Sequence, residues 1–292
     1  MNVNPFSNPW QHARLLSDAA RNRVMIDTVV RHSPGRRVLE VGCGTGLMSC
    51  IAARAGASRV TAIEPTDMLY VARDLVRQNG LQDRVEVIAG MVQDVQPRPV
   101  DFAFSELLHS DPFVEGVVEA SNCMARWLVK DGRLAPYRLT VYAALARAAG
   151  PAWEMRAAEA ELGVHGKRFD LDLGPIVDVL RTGGLHTYTT GDERPIGPAV
   201  EVFTIDLGDG ASIPGPVEKR LEVREAGSVA GVMVWFEAQM DEHTVLGNPP
   251  MGGGHWGQIV WAFGQDLQAE RGQRLRVRFE GQGAGLVVHL LG

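Results

Sequence analysis

The stretch Val38-Leu-Glu-Val-Gly-Cys-Gly-Thr-Gly46 sets the architecture. It follows from a short apolar run, Arg37-Val-Leu-Glu-Val41, that reads as a buried strand. Gly42, Gly44 and Gly46 then stand immediately before Leu47 to Ala55, a run of small residues that reads as a helix. Glycines at such a junction let the backbone turn tightly and approach a ligand closely. A second apolar run, Arg59-Val-Thr-Ala-Ile63, completes a βαβ unit, and Glu64 ends it, 22 residues after Gly42. An acid there suits hydrogen bonds from both hydroxyls of a ribose. The pattern is not the GxGxxG of dinucleotide-binding domains, because position 47 is Leu.

On the N-terminal side of this unit, residues 10 to 32 place Leu15, Leu16, Ala19, Ala20, Val24, Ile26 and Val29 at roughly helical spacing, which predicts one amphipathic helix leading into the first strand. Downstream, Asp67 to Asn79 reads as a helix, Val85 to Ile88 and Val100 to Ser105 as strands, and Phe113 to Leu128 as a helix ending at Lys130-Asp-Gly132. Strands alternating with helices imply an α/β domain with a parallel sheet covered on both faces. After about residue 137 the rhythm changes to β runs separated by Gly and Pro turns: 139–146, 200–205, 221–224, 229–236, 258–263, 274–279 and 286–291. Several alternate apolar with polar residues, as half-buried antiparallel strands in a barrel or sandwich do. The expected division is a cofactor domain over 1–136 and a β-barrel substrate domain over 137–292. A helix-prone insertion at about 150 to 180, containing Trp153-Glu-Met-Arg-Ala-Ala-Glu-Ala-Glu-Leu162, interrupts the second half.

Composition narrows the function classes. A chain of 292 residues with 45% hydrophobic content can bury a full core. Its net charge of −6 argues against a nucleic-acid partner. Cys43, Cys50 and Cys123 form no CxxC pair and no His cluster has ligand spacing, so no metal site is expected. No run approaches about 18 apolar residues, and Met1-Asn-Val-Asn-Pro-Phe-Ser-Asn-Pro-Trp10 lacks a basic region followed by an apolar stretch. The expectation is a cytoplasmic protein with no membrane partner.

The glycine segment with its preceding acid, Glu40-Val-Gly-Cys-Gly-Thr-Gly46, resembles motif I of the class I methyltransferases. That resemblance implies S-adenosylmethionine as cofactor, with Glu40 helping to hold its methionine end. The strand over 100–105 ends in Ser105-Glu-Leu-Leu-His-Ser-Asp-Pro-Phe-Val-Glu115, and strand carboxyl ends face the ligand crevice in such sheets. Glu106 and Glu115, nine residues apart, could meet across a hairpin; paired carboxylates stay ionised at low cost only around a cation, and a planar guanidinium with five donors fits best. The alternative is a pair of ordinary solvated acids.

The acidic segment is similar to the double-Glu loop of the protein arginine methyltransferases. Gly252-Gly-Gly-His-Trp256 resembles that family's Thr-His-Trp loop, and His12, Asp18 and Arg21 match the spacing in its cofactor-covering helix. The likeness spans nearly the whole chain, from about residue 6 onward. It implies that Arg21 meets the cofactor carboxylate, that Asp18 pairs with His255, and that Val92 and Gln93 lie at the adenine. It also implies Glu106, Glu115, His255 and Trp256 as acceptor-binding residues, with Glu106, Glu115, His255 and Asp18 catalytic. Departures are Phe6 for a tyrosine, Gly254 for the Thr, Gln93 for a Glu, and Leu15 and Val117 where bulkier residues shape the pocket. His109, inside the acidic loop, reads as structural or exposed rather than as a base. The insertion resembles the arm by which family members clasp a neighbour, which implies a homodimer. The implied activity is methylation of an arginine guanidine, free arginine slightly ahead of peptidyl arginine. A methyltransferase for another small cation and an inactive cofactor-binding scaffold are the alternatives.

Overall fold

A computed structural model describes residues 8–147, 149–182, 185–187, 193–252, 254–282 and 285–291. Phe6 and Gly253 lie outside the described residues. The first half runs α1 (Pro9–Ser17), α2 (Ala19–His32), β1 (Arg37–Val41), α3 (Leu47–Arg54), β2 (Arg59–Glu64), α4 (Met68–Gln78), β3 (Val85–Ala89), β4 (Val100–Ser105), α5 (Val117–Ala125) and β5 (Leu128–Ala135). The strands form a parallel sheet in the order β3-β2-β1-β4-β5. The order reverses beside β1, so the carboxyl ends of β1, β2 and β4 open onto a crevice. These strands are buried on both faces, which is why they read as continuous apolar runs.

The second half runs β6 (Arg138–Arg147), α6 (Ala149–Phe169), α7 (Gly174–Thr182), β7 (Leu185–Thr187), β8 (Arg194–Pro195), β9 (Val200–Asp206), β10 (Val217–Glu222), β11 (Gly227–Gln239), β12 (Val245–Gly247), β13 (Gln258–Ala269), β14 (Arg274–Gln282) and β15 (Gly285–Leu291). Its strands form two antiparallel sheets, one ordered β7-β13-β11-β6-β8 with β9 and β12 alongside, the other β10-β14-β15. The predicted helical insertion is the pair α6 and α7. One hydrophobic core runs from Met25 and Val29 of α2 through Phe102 and Phe104 of β4 to Phe236, Val277 and Phe279, so the two halves share buried surface.

Two expectations are corrected. The single helix over 10–32 is broken at Asp18, whose backbone leaves the helical region (φ −78, ψ 92). Asp18 Oδ1 caps α2 by accepting the Arg21 N–H at 3.0 Å, a contact of the kind that contributes about 1 kcal/mol, and its other oxygen is held by a residue from the second half. The helix expected over 113–128 is confined to α5. Gly116, left-handed at φ +73, starts it late, and Leu128 onward pairs with β4 as a strand instead. Residues 106–116 are thereby freed to form a loop over the crevice.

α2 braces the halves at both ends. Asp18 meets His255 at its start; near its end Thr28 Oγ1 lies 2.9 Å from Thr244 Oγ1, and Arg31 and His32 both reach Asp241 Oδ2, at 2.5 and 2.9 Å. The Asp241 carboxyl is nearly fully buried, yet the donors around it outweigh the burial and hold it well below the usual carboxylate range.

Candidate active site

The turn after β1 is built from left-handed glycines. At Gly44 (φ +51) a Cβ would stand 2.8 Å from His12 Cε1 of α1, and at Gly46 (φ +75) one would stand 2.9 Å from Ala72 Cβ of α4. At Gly46 the Ala72 backbone leaves no room for a side chain, at Gly44 the His12 ring would have to move, and the left-handed backbone favours glycine at both. Glu64, at the end of β2, organises the turn: it accepts the Gly44 N–H at 2.7 Å, the Thr66 N–H at 3.0 Å and the Thr66 hydroxyl at 2.6 Å. Thr66 carries no motif in the sequence, although a hydroxyl two residues after an acid is a common local hydrogen-bonding partner.

Gly42, Gly44, Glu64 and Thr66 line a cavity of about 700 Å³ together with Arg21, Glu40, Val92, Gln93, Glu106 and Glu115, whereas Gly46 stands outside the lining. Glu40 is buried in the lining, where it accepts a hydrogen bond from Ser49 Oγ. Burial pushes its carboxyl up to about 8, the Ser49 bonds offsetting part of the effect. A buried acid beside the basic Arg21 suits a ligand end carrying both an ammonium and a carboxylate. With its glycine turn, two acids at strand ends, and Val92 and Gln93 on the wall, the cavity suits S-adenosylmethionine.

Glu106 and Glu115 both face the cavity from the loop after β4. Arg21 holds Glu106 Oε2 through Nε at 2.7 Å and through Nη2, while Nη1 donates to Asn22. Burial raises the Glu106 carboxyl above its ordinary value against the pull of Arg21. Glu115 accepts no hydrogen bond from a described residue, and burial, with Glu106 adding repulsion, pushes it up to about 8. An acid desolvated without a donor is costly unless a cation arrives to pair with it.

Asp18, His255 and Trp256 stand outside the cavity lining. Asp18 Oδ2 receives the His255 N–H at 2.8 Å and the His255 ring Nδ1 at 2.9 Å. Burial acts to raise Asp18, but the Arg21 and His255 donors outweigh it and hold the carboxyl below its ordinary value. The His255 imidazole is in turn lowered by burial. Gly254 is close to this pair, and a Cβ there would lie 3.1 Å from Asp18 Oδ2. The reading of Trp256 as acceptor-binding meets a different geometry: its Nε1 donates to Leu108 O at 2.9 Å, and the ring packs on His255 and Phe236. Leu15 lines the cavity; Val117 is fully buried and outside the lining. His109 accepts the Asp111 N–H at 3.3 Å. Glu119 and Cys123, also on the wall, have no motif to mark them. Among the described residues no cluster of three or more His, Cys, Asp or Glu is placed to hold a metal, and no helix is long and apolar enough to cross a membrane.

Comparison with known proteins agrees with this architecture. Residues 38–132 match a family model described as a methyltransferase domain. An arginine N(omega)-methyltransferase of Streptomyces achromogenes subsp. streptozoticus is 27% identical over 281 residues, covering 92% of this chain and 75% of that protein. A probable protein arginine N-methyltransferase 6 of Arabidopsis thaliana is 35% identical over 141 residues, 46% of this chain and only 32% of that protein's length. Among solved structures, the Trypanosoma brucei PRMT1 enzyme–prozyme heterotetrameric complex with AdoHcy superposes with a TM-score of 0.82 at 20% identity, over 98% of this chain and 94% of that one. Arabidopsis thaliana protein arginine methyltransferase 10 does so at 0.78 and 23% identity, over 94% and 88%. These two likenesses are of fold: a parallel sheet with helices, followed by antiparallel sheets. Residues 38–132, which match the methyltransferase model, thus hold a glycine cradle suited to S-adenosylmethionine, and the chain as a whole has a fold similar to that of the protein arginine methyltransferases.

Proposed function

We propose that the protein transfers a methyl group from S-adenosylmethionine to a guanidino nitrogen of arginine, with free L-arginine or another small guanidine preferred over arginine in a protein. The observation that carries this is Glu115, a half-buried carboxylate on the cavity wall with no hydrogen-bond donor among the described residues, beside the second acid Glu106. The Streptomyces relative named for arginine, matching over 92% of the chain, supports the same acceptor. In this reading residues 1–136 carry the cofactor and residues 137–292 complete the acceptor site. A peptidyl arginine, or another small cation, is the competing acceptor.

Arginine has a pKa above about 12, so removing a proton before attack at neutral pH costs on the order of 7 kcal/mol or more. Glu106 and Glu115 avoid that cost by gripping two edges of the guanidinium and drawing its positive charge toward them. One terminal nitrogen is left with lone-pair density and a fixed direction. S-adenosylmethionine, when bound, supplies an electrophilic methyl group. The proton that the alkylated nitrogen loses passes to Glu115, whose carboxylate is the more basic for being desolvated. His255, outside the cavity lining, acts with Asp18 to hold the start of α2 and with it Arg21, rather than as the proton acceptor.

The test is mass spectrometry after incubation with cofactor and, in parallel, free arginine and an Arg-rich peptide. A mass gain of about 14 per methyl on arginine, in excess of the peptide, supports the reading, and transfer to neither rejects it. A pH dependence follows from Glu115. Below about pH 8 the free protein holds its proton, and a guanidinium must displace it. Acceptor affinity therefore rises as pH climbs toward 8 and levels off above, and calorimetry in buffers of different ionisation heat reads a proton released at pH 7. A flat profile removes Glu115 from the acceptor site.

A homodimer in the cytoplasm belongs to the same proposal. The arm helices α6 and α7 and the turn between them expose Val164, Phe169, Leu171, Ile176 and Val179, an apolar set that a partner subunit would cover. Light scattering is expected to give twice 31.7 kDa; a strictly monomeric mass rejects the dimer.

A further inference from the structure

We infer that Asp111 is a positioning residue for acceptor binding: it straps the carboxylate-bearing loop to strand β15 and so sets where Glu115 points. The inference rests on the proposal that Glu106 and Glu115 grip the acceptor.

Residues 106–116 leave β4 and enter α5 without regular secondary structure between. A loop of that length holds a carboxylate in one direction only if something fixes its middle. Two hydrogen bonds do so, and both come from the second half of the chain. Trp256 Nε1 donates to Leu108 O at 2.9 Å, and the Leu286 N–H of β15 donates to Asp111 Oδ2 at 2.7 Å. The other Asp111 oxygen, Oδ1, accepts the Phe113 N–H at 3.1 Å, and Asp111 O accepts the Val114 N–H at 3.3 Å. Asp111 therefore shapes the turn that delivers Glu115 and anchors that turn to a strand of the other half.

The neighbourhood is arranged around this carboxylate. Phe113 is driven inward to meet Phe203 of β9 edge-on at 6.3 Å between ring centroids, so the turn is pinned on its apolar side as well. Gly285 begins β15, and a Cβ there would stand 3.2 Å from Asp111 Oδ2, so the strand approaches the acid closely because it lacks one. Asp111 is 6% exposed, and its carboxylate oxygens are met by backbone N–H groups rather than by a basic side chain. Burial raises its carboxyl above the ordinary value, against the two N–H bonds. A buried acid without a countercharge is a poor source of stability; two backbone N–H groups aimed at its separate oxygens give it a directional role.

The experiment compares native protein with Asp111→Ala, Asp111→Asn and Gly285→Ala. Readouts are kcat and KM for arginine, cofactor Kd by calorimetry, and hydrogen exchange of the loop amides against those of residues 38–64. Asp111→Ala is expected to lower kcat/KM for the acceptor about tenfold or more, mainly through KM, with faster exchange confined to the loop and cofactor Kd unchanged. Asp111→Asn, which keeps one acceptor oxygen, recovers part of the loss. Gly285→Ala crowds the same carboxylate with every partner in place, and it decides the question by the same readouts if Asp111→Ala fails to fold. Unchanged acceptor kinetics in Gly285→Ala and Asp111→Ala, or cofactor affinity falling in step with acceptor affinity, overturns the inference. If native protein does not methylate arginine, the functional proposal fails on that measurement, while the exchange pattern still judges the strap.

Discussion

Glu115→Gln is expected to reduce kcat with arginine by about three orders of magnitude or more while leaving cofactor Kd within about threefold of the native value. The substitution keeps size and shape and removes the charge and the proton-accepting oxygen together. Glu115 makes no hydrogen bond to a described residue, so its replacement breaks none in the site and changes only its charge coupling to Glu106 and Arg21. The neutral amide neither attracts the guanidinium nor polarises it, and the alkylated nitrogen loses its proton acceptor. Glu106→Gln is expected to be as damaging to turnover but less selective. Arg21 spends two of its nitrogens on Glu106 Oε2, and weakening that pair alters a guanidinium that lines the same cavity. Turnover by mass spectrometry and binding by calorimetry separate the two variants. Native turnover in Glu115→Gln would sink the mechanism.

The second large effect belongs to Glu64→Ala, which is expected to weaken S-adenosylmethionine binding about a hundredfold or more. Glu64 accepts three hydrogen bonds in a buried position, and the bond from Gly44 holds the glycine turn closed. Without it the buried N–H groups of Gly44 and Thr66 lose their partner, at about 1–3 kcal/mol each, and the cradle loosens where the ligand backbone contacts form. Glu64→Gln retains an acceptor oxygen and should fall between the two. Circular dichroism confirms that the parallel sheet persists, and calorimetry reads the affinity. Cofactor binding of native strength in Glu64→Ala would remove the glycine turn from the cofactor site.

Much of this protein is legible in short windows of sequence. The run from Val38 to Gly46 specifies strand, turn and helix because each choice is made by neighbours in the chain: apolar residues for a strand buried on both faces, glycines for left-handed backbone, small residues for a packed helix. The change from alternating helices and strands to antiparallel runs near residue 137 is legible for the same reason. Boundaries are less so. Asp18 has a helical neighbourhood on both sides, and the break there exists because its carboxylate is required by His255, which no window around residue 18 contains. Gly116 and the parallel pairing of β5 likewise cut short a helix whose apolar pattern alone would have carried it to Leu128.

Local sequence was thus enough for the glycine turn, the α/β class, the β-rich second half and the pair of acids nine residues apart. What those acids meet came only with the folded chain. Arg21 reaches Glu106 across 85 residues and Asp111 reaches Leu286 across 175, while Asp18 and His255, 237 apart, are paired by the family resemblance and not by their spacing. A strand or a glycine turn is selected by local backbone preference and periodic burial, whereas these contacts arise when α2 settles over the crevice and the two halves close over a shared core. Spacing along a chain carries no record of that closure.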